Sequence, residues 1–330
     1  MKLLFIFTGG TIGSTMHGDV ISPDGTKSRK IIEAYRDKFG IDFEYDTVEP
    51  YTELSENNTG RNIRILTECI KANLNKNYDG IIVTHGTDTL QYSSAAIGYA
   101  IGLDTIPVCI ISANRPIEHK KSNGLYNLNG AVKFIKGGLG RGAFTVYKND
   151  TERKIKVHRA TRLLAGKAFS DEVSSIFDST YGYFDTKMNF IKNRAYTEKN
   201  DSLLPFDTNY LSESADAIAV LPSYPGIIYP TLDGKIKYVI MNSYHSGTVN
   251  TKSESALAFF REAARRDVTV FITGITEGPE YESAMLFANL GVIEIKNISP
   301  VAAYIKLWIA LSSDTDPKDI MAKSVSGDIA

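Results

Sequence analysis

Short, continuous apolar runs that stop abruptly at small polar residues most narrow what this 330-residue chain can fold into. Residues 3–7 (LLFIF), 80–84 (GIIVT) and 106–112 (IPVCIIS) are too short for helices and do not alternate polar with apolar. They read as strands buried on both faces. Between them, residues 62–74 place Ile63, Leu66, Ile70 and Leu74 at helical spacing, and residues 90–101 and 125–135 also read as helices. Such alternation predicts βα units, a parallel sheet and right-handed crossovers.

Residues 143–158 (AFTVYKNDTERKIKVH) read as a β-hairpin with a polar tip. Periodicity fades from about residue 186, and residues 191–213 read as a linker. The alternation then restarts, with strands at 217–221, 237–242 and 268–273 and helices at 252–265, 281–290 and 300–311. A short helix near 317–323 closes the chain. The expected division is an N-terminal α/β unit over 1–190, which should carry the chemistry, and a C-terminal α/β unit over 214–330.

Lys and Arg number 37 against 38 Asp and Glu, a formal net charge of −1. That balance offers no field for gathering polyanions, so neither nucleic acid nor an acidic membrane surface is an expected partner. Two cysteines, Cys69 and Cys109, cannot build a disulfide framework or a four-thiolate metal site, and both are expected to be buried and inert. Histidine and cysteine lack metal-ligand spacing, so neither metal nor cofactor is expected. No apolar run approaches the ~20 residues of a membrane span, and the apolar start is too short for a signal peptide. A cytoplasmic location is the expectation.

The chemistry should lie at the carboxyl edge of the parallel sheet, where open α/β sheets bind ligands. The first strand runs into Thr8-Gly9-Gly10-Thr11-Ile12-Gly13-Ser14, and the next into Thr84-His85-Gly86-Thr87-Asp88-Thr89. The first turn lacks the spacing of a dinucleotide loop and the Gly-Lys-Ser/Thr of a phosphate loop, so by itself it is either a functional loop or a tight turn. The second sets hydroxyls, an imidazole and a carboxylate where a short loop would suffice. Thr87 or Asp88 could otherwise serve only to cap the following helix.

Together the TGGTI and HGTDT segments closely resemble the bacterial-type L-asparaginase family, most like its cytoplasmic type I form, and the likeness runs over residues 3–312. The resemblance implies a two-domain asparaginase-like α/β fold: a larger, mostly parallel, flavodoxin-like sheet and a smaller Rossmann-like C-terminal domain. It implies hydrolysis of L-asparagine to L-aspartate and ammonia through an acyl-enzyme, with L-glutamine as a side substrate. Thr11 would be the nucleophile and Thr87 the second active-site threonine. Asp88 would orient Thr87 and hold the substrate amino group. A threonine hydroxyl is a weak nucleophile that needs a base or relay within hydrogen-bond reach, and glycine-rich turns such as those at Gly10 and Gly86 let backbone donors approach an oxyanion. Ser55 and Glu56 in LSENNT resemble the segment that grips the substrate, and Ala113 in ISANRP a pocket-lining strand end. Tyr244-His245-Ser246-Gly247-Thr248 resembles a segment lent across a dimer interface, with Ser246 touching the substrate's amino end. Glu282 is the matching acidic partner, with Glu280 and Glu277 as alternatives. A homodimer or homotetramer is implied.

Two departures stand out. Counting back from Phe177-Asp178-Ser179 puts Lys167 at the family's relay lysine, whereas counting forward from the hairpin puts Arg162 there. An arginine does not shed its proton near neutrality, which favours Lys167. The lid after the first threonine, residues 14–30, has no tyrosine where the family uses one, and His17 is the one lid residue able to take a proton near pH 7. The missing tyrosine keeps open a catalytically impaired amino-acid-binding protein. The amidotransferase component that feeds ammonia to misacylated tRNA in archaea shares both threonine motifs. It carries an extra N-terminal domain, whereas this chain enters its first strand at Leu3, and the balanced charge does not favour RNA. The hydrolase reading is therefore preferred.

Overall fold

A computed structural model describes residues 1–10, 14–17, 20–23, 30–199, 206–278, 281–313 and 315–330, with backbone alone at 14–17 and 20–23. The first half runs β1 (Lys2–Phe7), β2 (Ser14–His17), β3 (Val20–Pro23), α1 (Lys30–Phe39), β4 (Glu44–Val48), α2 (Gly60–Leu74), β5 (Gly80–Thr84) and α3 (Leu90–Ile101). It continues through β6 (Val108–Ile111), α4 (Gly124–Lys136), β7 (Ala143–Tyr147), β8 (Ile155–Arg159), β9 (Gly182–Phe184) and β10 (Phe190–Lys192). The second half holds β11 (Ile218–Pro222), β12 (Tyr238–Asn242), α5 (Glu254–Arg265), β13 (Thr269–Ile275), β14 (Val292–Lys296), α6 (Pro300–Leu311) and α7 (Pro317–Met321).

Eight strands form the large sheet in the order β10-β9-β8-β7-β6-β5-β1-β4. From β4 to β7 every pairing is parallel, and β8, β9 and β10 add on antiparallel. The five parallel strands thus follow the flavodoxin-like order, with the chain turning from β1 to β4 on one side and then to β5 on the other. The small sheet, β11-β12-β13-β14, is parallel throughout. Strands β2 and β3 pair antiparallel as a separate ribbon, and the two larger sheets give the α/β architecture read from the sequence.

The period-2 rule explains the burial of β1. Leu3, Phe5 and Phe7 face one core with α1 and α4 residues such as Ile31 and Leu128. Leu4 and Ile6 face the other, with Leu66 and Ile70 of α2 and Leu90 and Ile97 of α3. Helix α3 carries no charged residue and is buried along nearly its whole length, because it is covered all round. Ala95, Ala96 and Tyr99 form its second face, packed with Ala302, Ala303 and Ile305 of α6. It thereby ties the large sheet to the C-terminal half. In the connecting stretch after β10, Phe206 and Leu211 are buried in that same cluster and Thr208 shares a hydrogen bond with Thr67 of α2 at 2.7 Å.

Some elements differ from expectation. Residues 281–290 form two 3₁₀ turns, Ala284–Leu286 and Ala288–Leu290, instead of one α-helix. Ala284 and Phe287 are buried and Leu290 half-buried, a spacing of three that suits three residues per turn. Strands β4 and β14 lie at sheet edges and carry charged residues among half-buried ones, so no apolar run announces them. Cys109 is buried as expected, whereas Cys69 on α2 is half-buried. Burial raises both thiol pKa values, which disfavours the reactive thiolate. Among the described residues, no helix is long and apolar enough to cross a membrane.

The C-terminal tail locks this arrangement. Lys306 of α6 and Asp328 are wholly buried and paired at 2.9 Å. The Tyr99 hydroxyl donates to Asp328 Oδ2 at 2.8 Å, and the Val325 amide to Oδ1 at 2.9 Å. Lys306 Nζ also donates to the Lys323 carbonyl. Breaking a buried pair leaves an uncompensated charge, at about 3–5 kcal/mol. Asp328→Ala should therefore lower unfolding free energy by that amount in urea denaturation. Asp207→Ala, which removes the half-exposed partner of Lys71, should change it by under ~1 kcal/mol.

Candidate active site

Because the chain leaves β1 toward β4 and re-enters at β5, the loops beyond these neighbouring strands diverge and open a crevice. Two glycines shape its floor. Gly9 and Gly10 have φ of +92° and +75°, a region that favours glycine. The Gly10 amide donates to the Glu53 carbonyl at 3.2 Å, and the Glu53 amide to the Thr8 carbonyl at 3.1 Å, so the stretch after β4 is laced to the end of β1. A Cβ on Gly10 would lie 2.5 Å from the Gly86 backbone, and one on Gly86 would lie 2.4 Å from Ser55 Oγ. Three expected substrate-binding residues, Gly10, Ser55 and Gly86, therefore meet.

Thr11, the expected nucleophile, lies outside the described residues, as do the side chain of His17 and the whole of Glu280. Gly10, bonded to Thr11, is at the contact just described. Glu56 follows Ser55 in a 3₁₀ turn, Ser55–Asn57, and is exposed. Ala113 is buried just beyond β6. Its neighbour Ser112 donates Oγ–H to the His85 carbonyl at 2.7 Å, joining the ends of β5 and β6.

Thr87 and Asp88 precede the first turn of α3 and line a cavity of about 410 Å³ whose wall also holds Tyr147 and Lys167. Lys167 is exposed on the 164–174 segment, which is anchored at both ends. The Leu164 amide donates to the Ser174 carbonyl at 2.9 Å, Asn149 brackets Val173 with two hydrogen bonds, and Ser299 Oγ donates to the Leu163 carbonyl. Arg162 is elsewhere. Its buried guanidinium donates to the carbonyls of Gly327, Thr197 and Ile329 at 2.6–2.8 Å, which leaves it engaged with the tail. The cavity thus gathers a hydroxyl, a carboxylate and an ammonium, the groups a proton relay needs.

Ser246 and Glu282 both follow carboxyl ends of small-sheet strands. Ser246 is half-buried in a turn and shares a hydrogen bond with Thr248 at 3.2 Å, while Glu282 is exposed. Among the described residues lining the cavity, neither is present. Glu277 is exposed, with its amide donating to Asn297 Oδ1. Among the described residues, no three His, Cys, Asp or Glu gather as metal ligands.

Several residues at or near the site have no role that the sequence reveals. Burial lifts the pKa of Tyr147 to about 12, with nearby Asp171 and Asp150 adding to the rise, so its hydroxyl stays protonated in the cavity wall. Burial pushes the His85 ring below its ordinary range, against the opposing pull of its bond to the Gly86 carbonyl. His158, whose Nδ1 lies 2.7 Å from Ser175 Oγ, is pushed down to about 3 by burial, aided by Lys156. The available signal is a histidine inside a run of small polar residues, or one in the middle of a buried strand.

A family model described as asparaginase, N-terminal, matches residues 2–193. Curated relatives are named as a subunit of glutamyl-tRNA(Gln) amidotransferase. One from Methanosphaera stadtmanae is 26% identical across 84% of this chain and 65% of the relative, so the chain spans less than two thirds of its length. Another, from Sulfolobus acidocaldarius, is 24% identical across 99% of this chain and 75% of the relative. Solved structures share the fold. The thermostable L-asparaginase from Thermococcus kodakarensis superposes with a TM-score of 0.79 at 22% identity, covering 100% of this chain and 99% of that one. L-asparaginase I from Vibrio cholerae gives 0.74 at 20% identity, with the same coverage.

The two buried imidazoles make the fold acid-sensitive. Their folded pKa values lie below the ~6.5 of an exposed histidine, so below about pH 6.5 the unfolded chain binds more protons than the folded one. Stability is lost as pH falls through that value, and the His158 share goes on being lost until about pH 3. Each histidine contributes at most ~1.4 kcal/mol per pH unit. Urea denaturation at about pH 7 and about pH 5.5 should show wild type losing about 1 kcal/mol more than His158→Gln over that interval.

Proposed function

The chain belongs to the asparaginase family, and from that premise we propose that it hydrolyses L-asparagine to L-aspartate and ammonia. The observation that carries this reading is the convergence of Thr87, Asp88 and Lys167 on one cavity, next to the Gly10–Gly86–Ser55 contact. Thr11 Oγ attacks the side-chain carboxamide carbon while its proton passes toward the Thr87–Asp88–Lys167 group. The tetrahedral oxyanion is met by backbone amides of the glycine-rich turns. Collapse of the intermediate breaks the C–N bond, the departing nitrogen takes a proton, and ammonia leaves. Water then attacks the Thr11 ester, releasing aspartate and restoring the hydroxyl.

Ser55, Glu56, Gly10, Gly86 and Ala113 would hold the substrate, and Ser246 and Glu282 would complete the cavity of a second copy in a homodimer or homotetramer. Glutamine, one methylene longer, is disfavoured by only ~1–3 kcal/mol in such a pocket, so a side activity on it is part of the proposal. A cytoplasmic setting fits a free amino acid as substrate.

The names of the curated relatives favour a second reading. In it the same amide cleavage supplies ammonia to a tRNA-dependent amidotransferase, and the substrate is glutamine or asparagine consumed in the presence of a partner protein.

Ammonia release from L-asparagine and L-glutamine by the isolated chain separates the readings. The hydrolase reading expects turnover of asparagine without partners, lost by ~10³-fold or more in Thr11→Ala and Thr87→Ala and by ~10²–10⁴-fold in Lys167→Met. Arg162→Lys should keep kcat near wild type while lowering the thermal midpoint. Turnover that requires charged tRNA and a partner protein supports the second reading. No ammonia under either condition, with asparagine still bound in calorimetry, would return the chain to the binding-protein alternative.

A further inference from the structure

Between the loops that carry Ser55 and Gly86 lies a hydrogen-bonded network whose proton positions follow from chemistry alone. Thr89 Oγ lies 2.8 Å from the Ser55 carbonyl, an oxygen that only accepts, so the one hydroxyl proton of Thr89 is spent there. Toward Asn58, 3.4 Å away, Thr89 Oγ can then only accept, and the Asn58 amide must present its nitrogen. The same nitrogen lies 3.3 Å from His85 Nε2, which must therefore be the bare, accepting nitrogen. His85 Nδ1, 2.8 Å from the Gly86 carbonyl, must carry the proton. Every group has one assignment, and only the neutral Nδ1–H imidazole satisfies it.

The two protons of one side-chain amide thus start two chains. One passes through Thr89 to the Ser55 carbonyl, the other through His85 to the Gly86 carbonyl. A carbonyl held in place fixes the plane of its peptide, with the next N–H pointing the opposite way. The planes so fixed are Ser55–Glu56 and Gly86–Thr87.

The same region tolerates unpaired polar atoms. Asn58 Oδ1, Ser55 Oγ and Thr84 Oγ1 are all buried and lack a hydrogen-bond partner among the described residues.

Resting on the amide-hydrolase reading above, we infer that Asn58 is a positioning residue, one amide that sets the substrate-gripping and threonine-bearing loops in register through Thr89 and a neutral His85. It does not touch the reacting atoms. His85, despite its place in the THGTDT run, is a hydrogen-bond conduit and not a general base.

The test uses the full chain in two arms. In the first, ¹⁵N NMR of histidine-labelled protein, assigned with His85→Gln among the five histidines, reads the tautomer at neutral pH. His85 should show a protonated Nδ1 and a bare Nε2. In Asn58→Asp, whose carboxylate can only accept, Nε2 should become protonated. A wild-type ring that is protonated at Nε2 overturns the inference, as does an unchanged ring in Asn58→Asp. In the second arm, Asn58→Leu should lower kcat/KM by about ten- to a hundredfold, the scale of a misplaced reacting group. Thr89→Val, which cuts the Ser55 chain alone, should raise KM more than it lowers kcat. Wild-type kcat and KM in Asn58→Leu overturn the inference. If Asn58→Leu does not fold, the near-isosteric Asn58→Asp replaces it in the kinetics. If the wild type releases no ammonia, the functional reading falls and the NMR arm alone decides the positioning role.

Discussion

The site depends on a contact that no side chain could occupy. Gly10, at the end of β1, and Gly86, at the end of β5, approach so closely that a Cβ on Gly10 would sit 2.5 Å from the Gly86 backbone. Parallel strands spaced at ~4.8 Å normally leave their loops free to splay apart. Here they are drawn together, and Ser55 is brought in from the extension of β4 to close the third side. Thr87 and Asp88 are placed by what precedes them, since the chain has no slack between Gly86 and the first turn of α3.

Helix α3 carries this local geometry into the rest of the molecule. One face packs on the large sheet and the other on α6, and Tyr99 near its end reaches the buried Asp328 of the tail. The C-terminal residues therefore brace the helix that carries the threonine loop at its start. Arg162 belongs to this brace, with its guanidinium donating to Gly327 and Ile329. Its guanidinium is thus spent on backbone carbonyls, while the exposed Lys167 lines the cavity.

Much of the frame is legible in the sequence, because burial on both faces leaves an unmistakable run. Residues 3–7, 80–84 and 106–112 could only be interior strands, and the two threonine segments follow two of them. The edge strands β4 and β14 are not legible, since one face of each mixes charged with half-buried residues and no apolar run results. The 281–290 segment misleads for a related reason. Its apolar residues recur every three positions, a pattern that overlaps the helical one over so short a stretch. Asn58 sits within LSENNT yet carries no signal of its role there, because an asparagine's function lies in which groups surround it.

The sequence by itself determined the chemistry available and the strand ends that would present it, because strand burial and glycine-rich turns are local properties of the chain. It also determined the family, through two segments too specific in order and composition to arise as ordinary turns. Only the tertiary structure shows that Lys167 lines the cavity with Thr87 and Asp88 while Arg162, five positions earlier in the chain, is engaged with the C-terminal tail. Only it showed that Gly10, Ser55 and Gly86 touch, and that the state of the His85 ring follows from an asparagine on another loop. Such facts depend on contacts between segments distant in sequence. A hydrogen bond's direction is set by the partner it meets, and partners are assigned only when the chain is folded.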